Sequence, residues 1–118
     1  MPKERLPPRF AEGLRHFNAG DFFEAHEVFE DLLDDVDDAR WDLLVALVQV
    51  AVGYHKWASG HPGAARMLRL GAGKLAAFPA LAYGVAIGSL RERADADAST
   101  LETGGTLATS PRIAVGRA

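Results

Sequence analysis

The sequence predicts an all-α fold of about five helices in a single compact domain. Apolar residues recur every three to four positions along most of residues 1–94, which is the spacing of amphipathic helices. Glycines follow two of these segments, where they can end a helix. The stretch from Leu43 to Val52 is apolar nearly all round, as expected of a central buried helix. We therefore expect two αα-hairpins packed around that helix.

The first two helices follow from their apolar spacing and their end signals. Phe10, Leu14 and Phe17 lie on one helical face, and Asn18-Ala19-Gly20 ends that helix. Asp21 is a favourable N-cap residue, and Glu24 completes a capping-box-like pair. The second helix is expected over residues 22–33.

Three further helices are predicted downstream of an acidic turn at residues 36–38. The third begins near Ala39 and ends at Gly60, and Pro62 sits in the first turn of the fourth. Pro79 opens the fifth, expected over residues 81–93 and weakened by two glycines. Periodicity is lost from Asp95, so residues 95–118 are expected to be an irregular tail, although Leu107, Ile113 and Val115 could dock on the body.

A short pattern occurs twice, forty residues apart. It reads aromatic-x-x-Gly-x4-Ala and is formed by Phe17, Gly20 and Ala25, then by Trp57, Gly60 and Ala65. Glycine suits the turn between two helices, and alanine lets the helices approach closely. Two degenerate copies are fewer than a repeat array needs, so the pattern indicates two similar hairpins.

Composition excludes several function classes. The chain has 118 residues, no cysteine and a formal net charge of −3. Disulfides, thiolate metal sites and cysteine nucleophiles are therefore excluded. There is no basic stripe with interleaved aromatics, so we expect no nucleic-acid binding. The apolar stretches are too short for a membrane span and the N-terminal residues lack a signal-like apolar region, so we expect a cytoplasmic protein.

The segment GDFFEAHEVFEDLL places three polar residues, His26, Glu27 and Glu30, in an amphipathic helix. His26 shares a stripe with Phe22 and Phe29, and Glu30 follows His26 by one turn. If that stripe faces the core, His26 and Glu30 are carried partly inward. A carboxylate there must be paired or hydrogen-bonded.

The third helix offers polar partners for this segment. Gln49 interrupts an otherwise apolar run, where an unsatisfied amide would cost about 1–3 kcal/mol. Tyr54 and His55 follow near the end of the same helix and are expected at the junction with the neighbouring hairpin.

Two interpretations of these residues remain open. In the first, His26 bonds to Glu30 and Gln49 in a buried polar network that sets the register of the second and third helices. In the second, His26, Glu30 and His55 hold a metal or substrate and Glu27 is a general base. The pattern His-Glu-x-x-Glu differs from the zinc motif His-Glu-x-x-His and from the Glu-x-x-His pattern of di-iron bundles. No cofactor is therefore predicted.

The segments FNAGDFFEAHEVFEDLL and LVALVQVAVGYHKWASGHPGA resemble the bacterial and archaeal domain of unknown function 309. The resemblance covers about residues 9–75. It implies a compact all-helical domain with His26, Glu27, Glu30 and Gln49 as signature polar positions, and it implies no agreed activity. The family commonly has tryptophan where this chain has Leu33, and Gly-Leu-Ile-Gln where this chain has Ala46 to Gln49.

The leading functional hypothesis is a non-enzymatic structural or interaction module that forms homo-oligomers. Many aliphatic residues in so short a chain leave apolar surface for a partner. The alternative is a metal-dependent or acid–base enzyme acting on a small molecule through His26, Glu27 and Glu30.

Overall fold

The computed structural model describes residues 5–116 and confirms the all-α class. Its elements are α1 (Phe10–Asn18), α2 (Phe22–Asp31), a 3-10 turn (Leu32–Asp35), α3 (Ala39–Ala58), α4 (Ala64–Leu75), β1 (Leu81–Ala82), β2 (Val85–Ala86) and α5 (Ile87–Glu102). The helices pack in sequence order, with α2 against α1, α3 against α2, α4 against α3 and α5 against α4. Within residues 5–116 none of the helices has the length and apolarity needed to cross a bilayer.

The two helical hairpins turn in the same way, as the repeated pattern predicts. Gly20 and Gly60 have positive φ angles of 86° and 71°. The amide of Asp21 donates to the carbonyl of His16 at 2.8 Å, and the amide of His61 donates to that of Lys56 at 2.8 Å. These bonds, which reach back five residues, define the Schellman cap that a left-handed glycine permits.

The second hairpin packs closely because glycine replaces side chains at its interface. A Cβ on Gly71 would lie 2.6 Å from the Val50 side chain, and one on Gly53 would lie 2.7 Å from Leu68. Such separations are well inside van der Waals contact. The α3–α4 distance is therefore set by two glycines for which the sequence predicts no role.

The start of α2 differs from the expected capping box. The Asp21 side chain makes no capping hydrogen bond. The capping carboxylate belongs instead to Asp38, which accepts from the Arg40 amide at 3.0 Å and from the Arg40 guanidinium at 2.8 and 3.0 Å. This pairing lowers the pKa of Asp38 through the hydrogen bonds from Arg40. The α-helix also ends at Asp31 and tightens into the 3-10 turn.

The predicted fifth helix over residues 81–93 is wrong in position. Residues 81–86 form a small antiparallel hairpin, in which Tyr83 and Gly84 both have positive φ, 52° and 77°. Two left-handed residues in succession make a tight turn that matches strand twist and cannot continue a helix. The helix starts only at Ile87.

The expected irregular tail is also partly wrong, because α5 continues through residues 95–102. Beyond Glu102 the chain is irregular but attached. The Asn18 side chain forms two hydrogen bonds with the backbone of Ile113. Its Nδ2 donates to the Ile113 carbonyl at 3.0 Å, and its Oδ1 accepts from the Ile113 amide at 2.7 Å. Ile113 is buried and Leu107 is half-buried, whereas the Val115 side chain is 66% exposed. Residues 117 and 118 lie outside the described residues.

Aromatic side chains fill the junction between the two hairpins. Phe17 and Phe22 pack edge to face at 5.1 Å between ring centroids, and Tyr54 lies 5.9 and 5.5 Å from them. Each is almost fully buried. Burial of an aromatic ring of this size contributes roughly 1.5–3 kcal/mol, and edge-to-face pairs add about 0.5–1.5 kcal/mol.

Candidate functional site

The buried face of α2 passes beside the predicted polar residues. Its buried side chains are Phe22, Ala25, Val28 and Phe29, and Leu32 of the following turn is also buried. The side chain of His26 is 18% exposed and that of Glu30 is 62% exposed. Glu27 is exposed as well. The helix is thus rotated by about one residue from the predicted setting, which leaves His26 at the edge of the core and both carboxylates in water.

The predicted network of His26, Glu30 and Gln49 is therefore wrong. His26 Nδ1 donates to the Phe23 carbonyl at 2.7 Å, since a carbonyl oxygen can only accept. Its Nε2 lies 3.9 Å from Glu30 Oε1, a long and exposed contact that contributes little. Gln49 Oε1 is buried and has no hydrogen-bond partner within residues 5–116.

His26 and His55 do approach the same surface, but an aromatic ring lies between them. The centroid of Phe23 is 5.0 Å from that of His26 and 5.4 Å from that of His55. Phe23 itself is 44% exposed. A bridging cation would need the two imidazoles to converge directly. The part of the chain that the structure describes holds no group of three or more His, Asp or Glu side chains placed to bind a metal ion.

Glu27 lies on the α1 side of α2 and belongs to a different surface from His26. It lines an open groove of about 340 Å³ between α1 and α2, formed by Arg9, Glu12, His16, Glu24, Glu27, Val28, Glu30 and Asp31. Arg9 pairs with Glu12 at 3.1 Å at the start of α1 and with Asp31 of α2 at 3.5 Å across this groove. These groups are exposed, so water and salt screen them. As a general base, Glu27 would have no hydrogen-bond partner among residues 5–116.

A buried polar network does exist, at a place that sequence analysis missed. Tyr54 is fully buried, and its hydroxyl donates to Asp97 Oδ2 at 2.6 Å. Arg93 Nε donates to the same oxygen at 2.7 Å, and Arg93 Nη2 reaches the Thr109 carbonyl and hydroxyl. Burial, followed by the hydrogen bond to Asp97, raises the pKa of Tyr54 well above its usual value.

This network joins α3, α5 and the C-terminal segment. Tyr54 is fully buried and Asp97 nearly so. One local signal was present in the sequence: Arg93 and Asp97 have the i, i+4 spacing of a helical ion pair. The irregular tail expected over residues 95–118 conceals that spacing. Tyr54 is among the predicted site residues, at the junction with the neighbouring hairpin, and the sequence predicts no partner for it.

The outer face of α3 is partly exposed, whereas the sequence predicts a central buried helix. Trp41, Val45, Val48, Val52 and His55 lie along it, and we call this line the α3 ridge. Trp41 is 43% exposed, the three valines are half-buried and His55 is exposed. The residues follow one another at intervals of four, three, four and three. Those are the a and d intervals of a coiled-coil seam, which packs against another helix.

Fold and surface together define a small all-α protein of two helical hairpins and a terminal helix, with a partly exposed apolar ridge on α3. The family model described as domain of unknown function (DUF309) matches residues 10–68. This segment is half of the 118 residues and runs from α1 into α4. The chain belongs to this family. A comparison with curated proteins finds no match.

Proposed function

We propose that this protein is a non-enzymatic interaction module that self-associates through the α3 ridge. The observation that carries the proposal is the run of apolar side chains at coiled-coil intervals on the outer face of α3, where Trp41 is 43% exposed and the three valines are half-buried. Contiguous apolar surface of this kind is typical of protein–protein contacts. Phe23, which is exposed and stacks on His55, extends it onto α2.

The enzymatic alternative has less support. It needs His26, Glu30 and His55 to converge, and Phe23 lies between the two histidines while Glu30 is 62% exposed. It also needs Glu27 beside the two histidines, and Glu27 lines the groove toward α1, which His26 and His55 do not line. At their observed positions, Glu27, Glu30 and His55 lie on an open, solvated surface.

Sedimentation equilibrium over a range of protein concentrations tests self-association. We expect the mean mass to rise from monomer to dimer with concentration. Val48→Lys should shift this transition to higher concentration, because the ammonium group must be desolvated at the centre of the ridge. The long lysine stem can lie along the helix and keep its charge in water, so the monomer should still fold.

Ala96→Lys is the matched control. Ala96 is an exposed residue in the interior of α5, away from the ridge. Like Val48→Lys, this substitution introduces a lysine in the interior of an α-helix. Circular dichroism melting of both variants verifies that each remains helical. A wild-type protein that is still monomeric at about 1 mM, where an association free energy of roughly 4 kcal/mol already produces dimer, would refute the proposal.

A further inference from the structure

We propose that two copies of α3 pack antiparallel about a two-fold axis that passes close to Gln49. This inference rests on the proposed self-association and specifies its geometry. It is based on three polar residues that flank the α3 ridge, Asp42, Gln49 and Lys56. They are separated by seven residues each, so they lie along one side of the ridge.

The charges on this side are self-complementary in only one orientation. A two-fold axis at Gln49 exchanges positions equally far before and after it, so Asp42 meets Lys56 of the partner subunit and Lys56 meets Asp42 of the partner subunit. In a parallel pair the two rows that carry Asp42 and Lys56 lie on opposite sides of the seam, so these charges do not meet. Because Asp42 and Lys56 are about 21 Å apart along α3, they cannot pair within one helix. Neither forms an ion pair within residues 5–116.

The apolar residues follow the same symmetry approximately. Val45 precedes Gln49 by four residues and Val52 follows it by three, so the two lie within one residue of facing each other across the axis. Trp41 lies eight residues before Gln49 and His55 six residues after it, so the indole ring of one subunit comes near the imidazole of the other. The antiparallel arrangement therefore sets Val45 near Val52 of the partner subunit and Trp41 near His55 of the partner subunit.

Gln49 is the residue at the axis, and its side chain is half-buried. Its Oε1 is covered by its own chain and has no hydrogen-bond partner in the described part of the chain. A covered oxygen cannot accept from a partner subunit, so the geometry rests on the charges of Asp42 and Lys56 and on the α3 ridge.

Charge reversal at the two flanking positions tests the orientation. In the antiparallel dimer, Asp42→Lys alone creates two Lys–Lys contacts and Lys56→Asp alone creates two Asp–Asp contacts. We expect each variant to dissociate at least about tenfold more readily than wild type, the effect of roughly 1.4 kcal/mol. An equimolar mixture of the two should form a heterodimer, because both contacts then have opposite charges. Sedimentation and native mass spectrometry measure the masses of each species.

The chain carrying both Asp42→Lys and Lys56→Asp is the second arm. In the antiparallel dimer it restores both opposite-charge contacts and should dimerise like wild type. In a parallel dimer these positions do not meet, so each single variant would dimerise as readily as wild type. Single variants that dimerise like wild type, or a mixture and a double variant that fail to recover the dimer while wild type is dimeric, overturn the antiparallel geometry and leave the proposed self-association intact. A monomeric wild type overturns both.

Discussion

Tyr54→Phe removes one hydroxyl from the network that joins α3 to α5, and its effect can be worked out from the geometry. The hydroxyl is fully buried and donates to Asp97 at 2.6 Å. A hydrogen bond to a charged group contributes about 1.5–3 kcal/mol. Asp97 keeps its contact with Arg93 at 2.7 Å, so the carboxylate is not left unpaired. We expect the free energy of unfolding to fall by about 2 kcal/mol.

Thermal unfolding followed by circular dichroism measures this loss. For a domain of this length the entropy of unfolding is about 250 cal/mol/K, so a loss of 2 kcal/mol lowers the Tm by about 8 °C. Tyr83→Phe is the control, because Tyr83 is the chain's other tyrosine and its hydroxyl makes no hydrogen bond within residues 5–116. Equal melting temperatures for the two variants would refute the assigned role of Tyr54.

The same substitution predicts a pH dependence. The pKa of Tyr54 is raised in the folded protein, chiefly by burial, while its usual value is about 10. The hydroxyl is protonated in both states below pH 10, so its contribution is complete there. Above pH 10 the unfolded chain releases the proton first, and the contribution is lost. The difference between wild type and Tyr54→Phe should shrink by up to about 1.4 kcal/mol per pH unit above 10 in urea titrations. A constant difference from pH 8 to 11 would contradict the pKa assignment.

Two further predictions concern packing and the C-terminal segment. Gly71→Ala should lower the free energy of unfolding by about 1–3 kcal/mol, because its Cβ would meet Val50, whereas Gly73→Ala, with open space around it, should raise it by about 0.5–1 kcal/mol in urea denaturation. The reverse order would contradict the close α3–α4 packing. Asn18→Ala removes both hydrogen bonds to Ile113 and should speed proteolytic cleavage after residue 103 while α1–α5 remain intact. Unchanged cleavage would show that Asn18 does not hold the segment.

The helix ends of both hairpins could be predicted from sequence because they depend on neighbouring residues. Gly20 and Gly60 adopt the left-handed conformation that ends a helix, and the bonds they permit reach back only five residues. The family could be recognised for the same reason, since its pattern lies within α1 to α4. Such features are fixed by contacts that are local in the chain.

The setting of α2 could not be predicted with the same certainty. Stripes through His26 and through Ala25 both contain Phe22 and Phe29, so the sequence permits either rotation. The neighbouring helices decide between them: Ala25 is fully buried and His26 lies at the edge. A change of one residue moved Glu30 from the predicted core to the solvent and removed the predicted site.

The sequence by itself determined the all-α class, the two glycine turns and the candidate polar residues, because helix propensity and capping act over a few residues. The tertiary structure decided which of those residues meet. Tyr54 finds Asp97, forty-three positions away, and thereby helps to hold the second half of α5 that sequence analysis assigned to a tail. It also decided that α3 keeps a partly exposed ridge. An apolar run cannot indicate which of its faces has a neighbour, since that depends on how many helices pack around it.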